Sequence, residues 1–394
     1  MCDTTTTNKH WKDLADLALV TPILNTNPGP QYQAANMNYG MTIGIERTPG
    51  GRIWACWVGG GDSDQAFMAM RSSDDDGRTW SPTRVVIDPH QPGLPIARRS
   101  LVSVLWTDPL GRLWFFFDQS MCKFDGRGGN WATRCDNPDS ANPTWTTPVR
   151  LWHGCSLIKP IVTRAGEWLL PLSLWDRGKI INPVWKEAFL DLDPLRGVNF
   201  LASTDNGETW TYRGGAVAVP HPDFDEPNVV ERADGSLWLT IRTMDQNVWE
   251  SVSTDGGRSW TPPVESAIKH VNSRHFMRRL ASGRLLLIKH GREVNINTTR
   301  GKIYTGRQEM TAFLSEDDGS TWIGGLTFDE REPVTYPDGF QAPDGTIYIS
   351  YDHARETLGQ VLFAKFREED ILSRKVVSAD ARLKQLIFEP GKKR

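Results

Sequence analysis

Four near-identical stretches decide how this chain is read: SDDDGRTW from Ser73 to Trp80, STDNGETW from Ser203 to Trp210, STDGGRSW from Ser253 to Trp260, and SEDDGSTW from Ser315 to Trp322. A degraded copy, CDNPDSANPTW, runs from Cys135 to Trp145. The aspartate carboxylate of such a stretch can accept hydrogen bonds from nearby backbone amides and hold a turn shut. The glycine permits positive φ where a hairpin reverses. The tryptophan then opens the next strand and buries a large ring between neighbouring sheets. The pattern speaks for architecture and, by itself, for no chemistry.

A second repeat surrounds the first. Six segments share a strand, a glycine-containing turn and a second strand: NYGMTIGIERTPGGRIWACWVGG from Asn38, RRSLVSVLWTDPLGRLWFFFDQS from Arg98, IKPIVTRAGEWLLPLSLWDR from Ile158, DEPNVVERADGSLWLTIRT from Asp225, SRHFMRRLASGRLLLIKH from Ser273 and TYPDGFQAPDGTIYISYDHAR from Thr335. The fourth and sixth align without gaps, which sets Glu226 on Tyr336, Pro227 on Pro337, Gly235 on Gly345 and Arg242 on Asp352. The turn glycines recur at the length of a four-stranded unit with variable loops. Six such units, none able to bury its own faces, close into a ring. The expected fold is all-β, a six-bladed β-propeller with four-stranded antiparallel blades. No domain boundary is visible, so residues 1–394 are read as one propeller domain, with 1–35 as an N-terminal extension and 366–394 as a C-terminal segment. The tryptophan-ended hairpins supply the outer strands of blades one to five. The sixth blade is expected to be completed from the chain ends, by the region before Asn38 and IYISYDHARETLGQVLFAKF. REEDILSRK reads as a short helix and EPGKKR as a frayed end.

Composition agrees. Of 394 residues 39% are hydrophobic and 24% charged, enough for a sizeable core. The 17 Trp, 35 Gly and 25 Pro suit many short strands joined by tight loops. A formal charge of −3 offers no basic surplus for nucleic acid, and no apolar run approaches membrane-spanning length. The opening residues lack a basic region followed by an apolar one, so the chain as it stands reads as cytoplasmic, or secreted if a leader was removed. Five cysteines without a CxxC pair suggest free thiols, with a Cys122–Cys135 bridge as the alternative. No HExxH and no Cys/His cluster call for a metal, although HPDFDE from His221 to Glu226 has the acidity to hold a structural calcium ion. GGGD after Gly59 lacks the context of a dinucleotide loop, so no cofactor is expected. The sequon Asn297-Thr298-Thr299 matters only in a secreted protein.

In a propeller the innermost strands all start at one mouth of the channel, and the second strands end there. The starts offer Asn38 or Tyr39, Arg98 or Arg99, Lys159, Glu226, Arg274 and Tyr336; the ends add Asp62, Asp64, Gln119, Asp176, Arg177, Arg242, His290, Asp352 and His353. Any one of these has a structural role open to it: Tyr336 as a channel-filling aromatic, Glu226 as an ion-pair partner of Arg242, Asp62 and Asp64 as shapers of a glycine-rich loop.

With these residues in place the chain resembles the sialidase superfamily over the whole propeller. The tryptophan-ended hairpins are its Asp boxes. The resemblance implies that Glu226 opens blade four, that Arg242 ends its second strand, and that Arg274 lies near the start of blade five. It implies a nucleophilic Tyr336 in Tyr336-Pro337-Asp338, with Asp64, or alternatively Asp62, as acid and base. Further candidates for substrate binding are Asp176, His290 and Asp338. One element departs from the family pattern. Where sialidases open blade one with Arg-Ile-Pro, this chain has Asn38-Tyr39-Gly40-Met41. Arg98, Arg99 or Lys159 from the next blades are the candidates to replace the missing arginine.

The implied activity is a retaining, exo-acting glycoside hydrolysis of a terminal anionic sugar, with an oligosaccharide or glycoconjugate as partner. A tyrosine is a poor nucleophile until a carboxylate takes its proton, and Glu226 is the candidate for that task. A neutral nucleophile avoids repulsion by an anion near the anomeric carbon, and sialidases are a known exception to the two-carboxylate rule. Arg242 and Arg274 would clamp the anion. Two other readings stay open on the same scaffold: a polysaccharide lyase using a tyrosine or one of His153, His221, His275, His290 and His353, and a non-catalytic carbohydrate-binding propeller.

Overall fold

The computed structural model describes residues 4–295 and 306–392, so the Asn297-Thr298-Thr299 sequon and Cys2 lie outside the described residues. Six antiparallel sheets follow one another along the chain. From the channel outward, blade one is Met41–Arg47, Ile53–Gly59, Phe67–Ser73 and Val85–Ile87, and blade two is Ser103–Thr107, Leu113–Asp118, Asn130–Cys135 and Val149–Trp152. Blade three is Ile161–Val162, Trp168–Leu174, Gly197–Ser203 and Thr211–Val217; blade four is Pro222–Glu231, Leu237–Thr243, Asn247–Ser253 and Val264–Lys269. Blade five is Phe276–Arg279, Leu285–His290, Met310–Ser315 and Ile323–Asp329; blade six is Val334–Gln341, Ile347–His353, Gln360–Phe366 and Arg382–Phe388.

The second strands are the most apolar because they have a partner on each edge and a neighbouring blade on each face. Ile53–Gly59, Trp168–Leu174 and Leu237–Thr243 are buried at every position. The outermost strands alternate, as Val264–Lys269 does, because one face meets water.

Every full Asp box closes in the same way. Ser73 donates its hydroxyl to Asp75 (2.8 Å) and accepts the amide of Gly77 (2.8 Å), while Asp75 accepts both the amide and the hydroxyl of Thr79 (2.8 and 2.6 Å). Ser203, Asp205 and Thr209 repeat this, as do Ser253, Asp255 and Ser259, and Ser315, Asp317 and Thr321. In the degraded copy Asn137 takes the aspartate's place and accepts the amide of Thr144 at 2.8 Å. The tryptophan so delivered packs on the preceding blade. Trp145 meets Trp54, Trp210 meets Trp114, Trp260 stacks on Phe200, and Trp80 reaches from blade one to Phe363 of blade six. The box glycines are pressed against those same surfaces: a Cβ on Gly319 would lie 2.3 Å from Trp238.

The last blade closes differently from expectation. Its outer strand is Arg382–Phe388, from the C-terminal segment, so the whole of blade six comes from one end of the chain. The N-terminal region contributes instead to blade one, where Leu24–Asn25 pairs with Val85–Ile87 as a fifth strand. The ring is sealed by Asp76 of the first box, which accepts Lys365 (2.8 Å), Arg382 (2.8 Å) and the Tyr348 hydroxyl from blade six. Glu368–Leu372 forms the expected short helix. The end is not frayed up to Lys392: Gly391 and Lys392 donate amides to Ala34 and Met37 (2.7 and 3.0 Å). Cys122 and Cys135 are free thiols, not a bridge.

The boxes make a pH prediction. Bonds from Thr79 and Thr209 hold the Asp75 and Asp205 carboxyls down at about 2. A carboxyl with a folded pKa below its unfolded value of about 4 stabilises fully above that value, and loses its contribution as pH falls through the folded one. Thermal melting is therefore expected to be level down to about pH 4 and to fall steeply between about pH 4 and 2. Asp205→Asn should melt lower at neutral pH and show a shallower acid decline.

Candidate active site

The inner strands of blades four and six lose their register at the channel mouth. In blade four, Pro222 pairs with Thr243 and Pro227 with Ile241, so Asp223 to Glu226 bulge out opposite Arg242 alone. In blade six, Thr335 pairs with Asp352 and Asp338 with Ser350, which leaves Tyr336 and Pro337 opposite Tyr351. Bulges re-aim side chains, and these push Glu226 and Tyr336 into the funnel. The backbone carries strain to do so: φ is +65° at Phe224, +44° at Asp225 and +57° at Tyr336. Large residues avoid this region unless the surroundings hold them there.

Arg242 holds the blade-four bulge. Its Nη1 donates to Glu226 (2.8 Å), Nη2 to Asp223 (2.9 Å) and Nε to the Asn272 side chain (2.8 Å), all buried. Asp223 also accepts Lys179. Burial pushes the Asp223 carboxyl up, but Arg242 and Lys179 outweigh it and hold it below the usual range. The HPDFDE carboxylates thus grip cations of the protein itself, and no group of metal-ligating side chains occurs among the described residues.

Two connected lobes form the cavity and share Asp62, Lys123, Phe224 and Tyr336. The larger, of 440 Å³, is cationic and is lined by Arg242, Arg307 and Arg355. The smaller is apolar, with Met41, Leu101, Val102, Leu157 and Trp175 around Glu226. Tyr336 sits at the junction. Guanidinium carbons lie 4.6 Å (Arg355), 5.4 Å (Arg274), 6.0 Å (Arg242) and 6.0 Å (Arg307) from its ring centre. Asp62 faces Lys123 at 3.2 Å. Burial would raise the Asp62 carboxyl, yet Lys123, Arg355 and Arg242 together hold it below its ordinary value.

Of the residues singled out from the sequence, the cavity brings together Tyr336, Glu226, Arg242 and Asp62. The others have different work. Asp64 is turned from the cavity, beside Gln65 (3.4 Å), and its carbonyl meets His90. Arg98 donates to the carbonyls of Pro89 and Leu17 (3.0 and 2.8 Å), tying down the end of the N-terminal helix Thr4–Asp16. Gln119 holds the same segment through Ala18 and Val20. Arg99 is buried against Asp118 and the Lys123 carbonyl. Lys159 lies deep in the channel, 2.7 Å from the Ile45 and Leu105 carbonyls and 3.0 Å from Asp338. Asp338 also takes the Ile45 amide (3.0 Å), so both belong to a staple between blades. Arg274 sits beneath Tyr336 and donates to the carbonyls of Tyr336, Leu157 and Ile43 at 3.0, 3.1 and 3.3 Å; it holds backbone rather than lining the cavity. Asp176 caps a short turn through the Gly178 amide (2.7 Å). His290 is buried against the Val334 carbonyl (2.7 Å), and burial pushes its pKa down to about 3.

Arg307, Arg355 and Lys123 escaped the sequence reading. Arg355 closes the sixth repeat segment, two residues past its second strand, and only a wider window at strand ends would have caught it. Lys123 follows Cys122, whose φ of +55° turns the loop toward the funnel; nothing in the sequence marks that turn.

The staple yields a prediction. Lys159→Met leaves Asp338 and Glu46 buried without their cation. The variant is expected to lose about 3–5 kcal/mol in denaturant melts, the usual cost of breaking a buried pair. Arg98→Gln, far from the cavity, should lower the melting temperature and leave ligand affinity unchanged.

Comparison with known proteins places this architecture. The BNR repeat-like domain family matches residues 51–349. The anhydrosialidase of Macrobdella decora is 25% identical over 191 residues, 44% of this chain and only 23% of that protein's length. Among solved structures, the intramolecular trans-sialidase of Ruminococcus gnavus superposes with a TM-score of 0.63 at 14% identity, over 88% of this chain and 98% of its own. The Trypanosoma rangeli sialidase bound to the inhibitor DANA gives 0.55 at 13%, over 86% and 56%. A Hadza microbial sialidase gives 0.58 at 19%, over 81% and 64%. These likenesses establish a shared propeller fold.

Proposed function

Because the chain belongs to the BNR repeat-like family, we propose that it is a retaining, exo-acting glycoside hydrolase that releases a terminal anionic sugar from an oligosaccharide or glycoconjugate. The observation that carries this reading is the placing of Tyr336. It is held at a strained φ of +57° at the junction of the two lobes, with Glu226 and Asp62 in the same cavity and guanidinium groups around its ring. A packing aromatic needs none of these.

The chemistry runs as follows. An anionic sugar enters the cationic lobe and its charge settles among Arg242, Arg307 and Arg355. The Tyr336 oxygen attacks the anomeric carbon while Glu226 accepts the phenolic proton. Asp62 gives a proton to the departing glycosidic oxygen, and the aglycone leaves. In the second half Asp62 takes a proton from water, whose oxygen displaces Tyr336 from the anomeric carbon; Tyr336 recovers its proton from Glu226. Arg242, bonded to Glu226, keeps that carboxylate ionised and aimed.

The lyase reading draws no support from the histidines, because His153, His221, His275, His290 and His353 are absent from the residues lining either lobe. His275 is buried against Thr240, and burial pushes its pKa down to about 3.

Two measurements test the mechanism. Tyr336→Phe is expected to cut turnover of a fluorogenic α-sialoside by about a thousandfold or more while substrate still binds; a variant with most of its activity would sink the tyrosine mechanism. The second is a pH profile. Asp62 donates only when protonated, and Lys123 is the chief charge that keeps it ionised. Lys123→Met leaves burial dominant and raises the carboxyl, so the alkaline limb of kcat/KM should move to higher pH. A limb that stays in place would remove Asp62 from the acid role.

A further inference from the structure

We infer that Arg355, from blade six, takes the anion-binding place left empty of charge at the start of blade one, and thereby sets a preference for a carboxylate on the sugar carbon that is attacked. The inference rests on the glycosidase reading for the identity of that carbon, and on geometry alone for the carboxylate.

The start of blade one reads Asn38-Tyr39-Gly40-Met41 and brings no cation of its own. The guanidinium of Arg355 has come to this spot: its Nη1 lies 2.9 Å from the Met41 sulfur, and its carbon 4.6 Å from the Tyr336 ring centre, nearer than any other arginine there. A thioether is a weak acceptor. It steadies the guanidinium without competing with an oxyanion for its donors.

The backbone explains how a blade-six residue reaches blade one. Beyond the strand Ile347–His353 the chain turns at Ala354, with φ +50°, and the amides of Thr357, Leu358 and Gly359 converge on the Ala354 carbonyl (2.9, 2.7 and 3.0 Å). The Ala354 amide is fixed to the Pro333 carbonyl at 2.9 Å. This tight loop is laid directly over Gly40, where a Cβ would stand 2.3 Å from the Gly359 carbonyl oxygen. Loss of the side chain at position 40 is what admits the loop, and the loop brings the cation. Tyr39 adds a tie, its hydroxyl 3.4 Å from Glu356. Blade one has given up a charge and the room around it, and blade six has filled both.

The position of the charge names the ligand. Arg355, Arg242 and Arg307 surround Tyr336 itself, so the anion they hold lies beside the reacting carbon. That suits a sugar acid bearing its carboxylate on the anomeric carbon, and not a uronate, whose carboxylate is on the far side of the ring.

The test is binding of DANA and of its methyl ester to the full-length protein by titration calorimetry. The parent is expected to favour the acid by about a hundredfold, and Arg355→Met to lose about thirtyfold or more on the acid but less than about threefold on the ester. Arg355→Lys, which keeps the stem and the charge, should fold as the parent does and lose about tenfold on the acid alone, because it lacks the fork. Adding Met41→Arg to Arg355→Met returns a cation to blade one and should recover about tenfold on the acid. Equal losses on acid and ester, an unchanged acid affinity in either single variant, or a parent without acid preference would each overturn the inference. Binding needs no turnover. A parent that prefers the acid yet cleaves no glycoside would defeat the hydrolase reading and leave Arg355 in its place.

Discussion

A serine hydroxyl bonded to the carboxylate two residues on, as in Ser73 with Asp75, is the contact on which this molecule depends. It locks the hairpin between third and fourth strands, and the locked hairpin aims a tryptophan at the blade before it. No blade can bury both its faces alone, so the ring exists only because each blade is covered in this way. The same box closes the circle: in blade one it points Trp80 at Phe363 and places Asp76 where Lys365 and Arg382 can bind it. Bonds at the outer rim thereby fix where the inner strands begin, a full blade's width away.

What the rim fixes, the channel mouth exploits. An intact ladder would leave Glu226 and Tyr336 on the pleat, facing their own blade neighbours. The register breaks at Asp223 to Glu226 and at Tyr336 and Pro337 release them. Broken ladders leave a backbone that needs other partners, and the buried cations supply them. Arg274 takes the carbonyls of Tyr336, Leu157 and Ile43, and Lys159 those of Ile45 and Leu105. Carbonyl oxygens from several blades converging on one cation form a joint that neither a smaller nor an apolar side chain could make. The strain at Tyr336 is sustained by this layer beneath it.

That layer also explains which parts of the site were legible in the sequence. The blades were, because the box and the turn glycines recur with the same local meaning each time. Glu226, Arg242 and Tyr336 were legible for a related reason: blades four and six align without gaps, and equal phase means equal place in the ring. Arg98, Arg99, Lys159 and Arg274 look like site residues by that same logic. Their partners are backbone carbonyls and a carboxylate supplied by other segments, such as Leu17 for Arg98 and Ile43 for Arg274. Side-chain identity carries no trace of such partners. Asp64 and Asp62 stand two residues apart on one loop, and only the turn decides which of them faces Lys123. The N-terminal helix, with Trp11 packed on Phe189 and its carbonyl bonded to Trp185, is equally invisible to a repeat-based reading, since it matches no blade.

The cavity's two lobes impose opposite demands that only one kind of ligand satisfies together. The apolar lobe, with Trp175 and Leu157, favours a group that sheds water, whereas the arginines favour an anion that holds water tightly. An arginine–carboxylate fork is strong when the surroundings are dry, so the apolar wall sharpens the arginine lobe instead of opposing it. The same wall bears on Glu226, which lies within the apolar lobe and is ionised there only through its bond to Arg242. Arg242 thus belongs to both halves of the chemistry: it aims the base that serves Tyr336 and it faces the anion that Tyr336 must approach. A neutral tyrosine is the nucleophile that this double duty tolerates, because a third carboxylate between Glu226 and a bound anion would repel both.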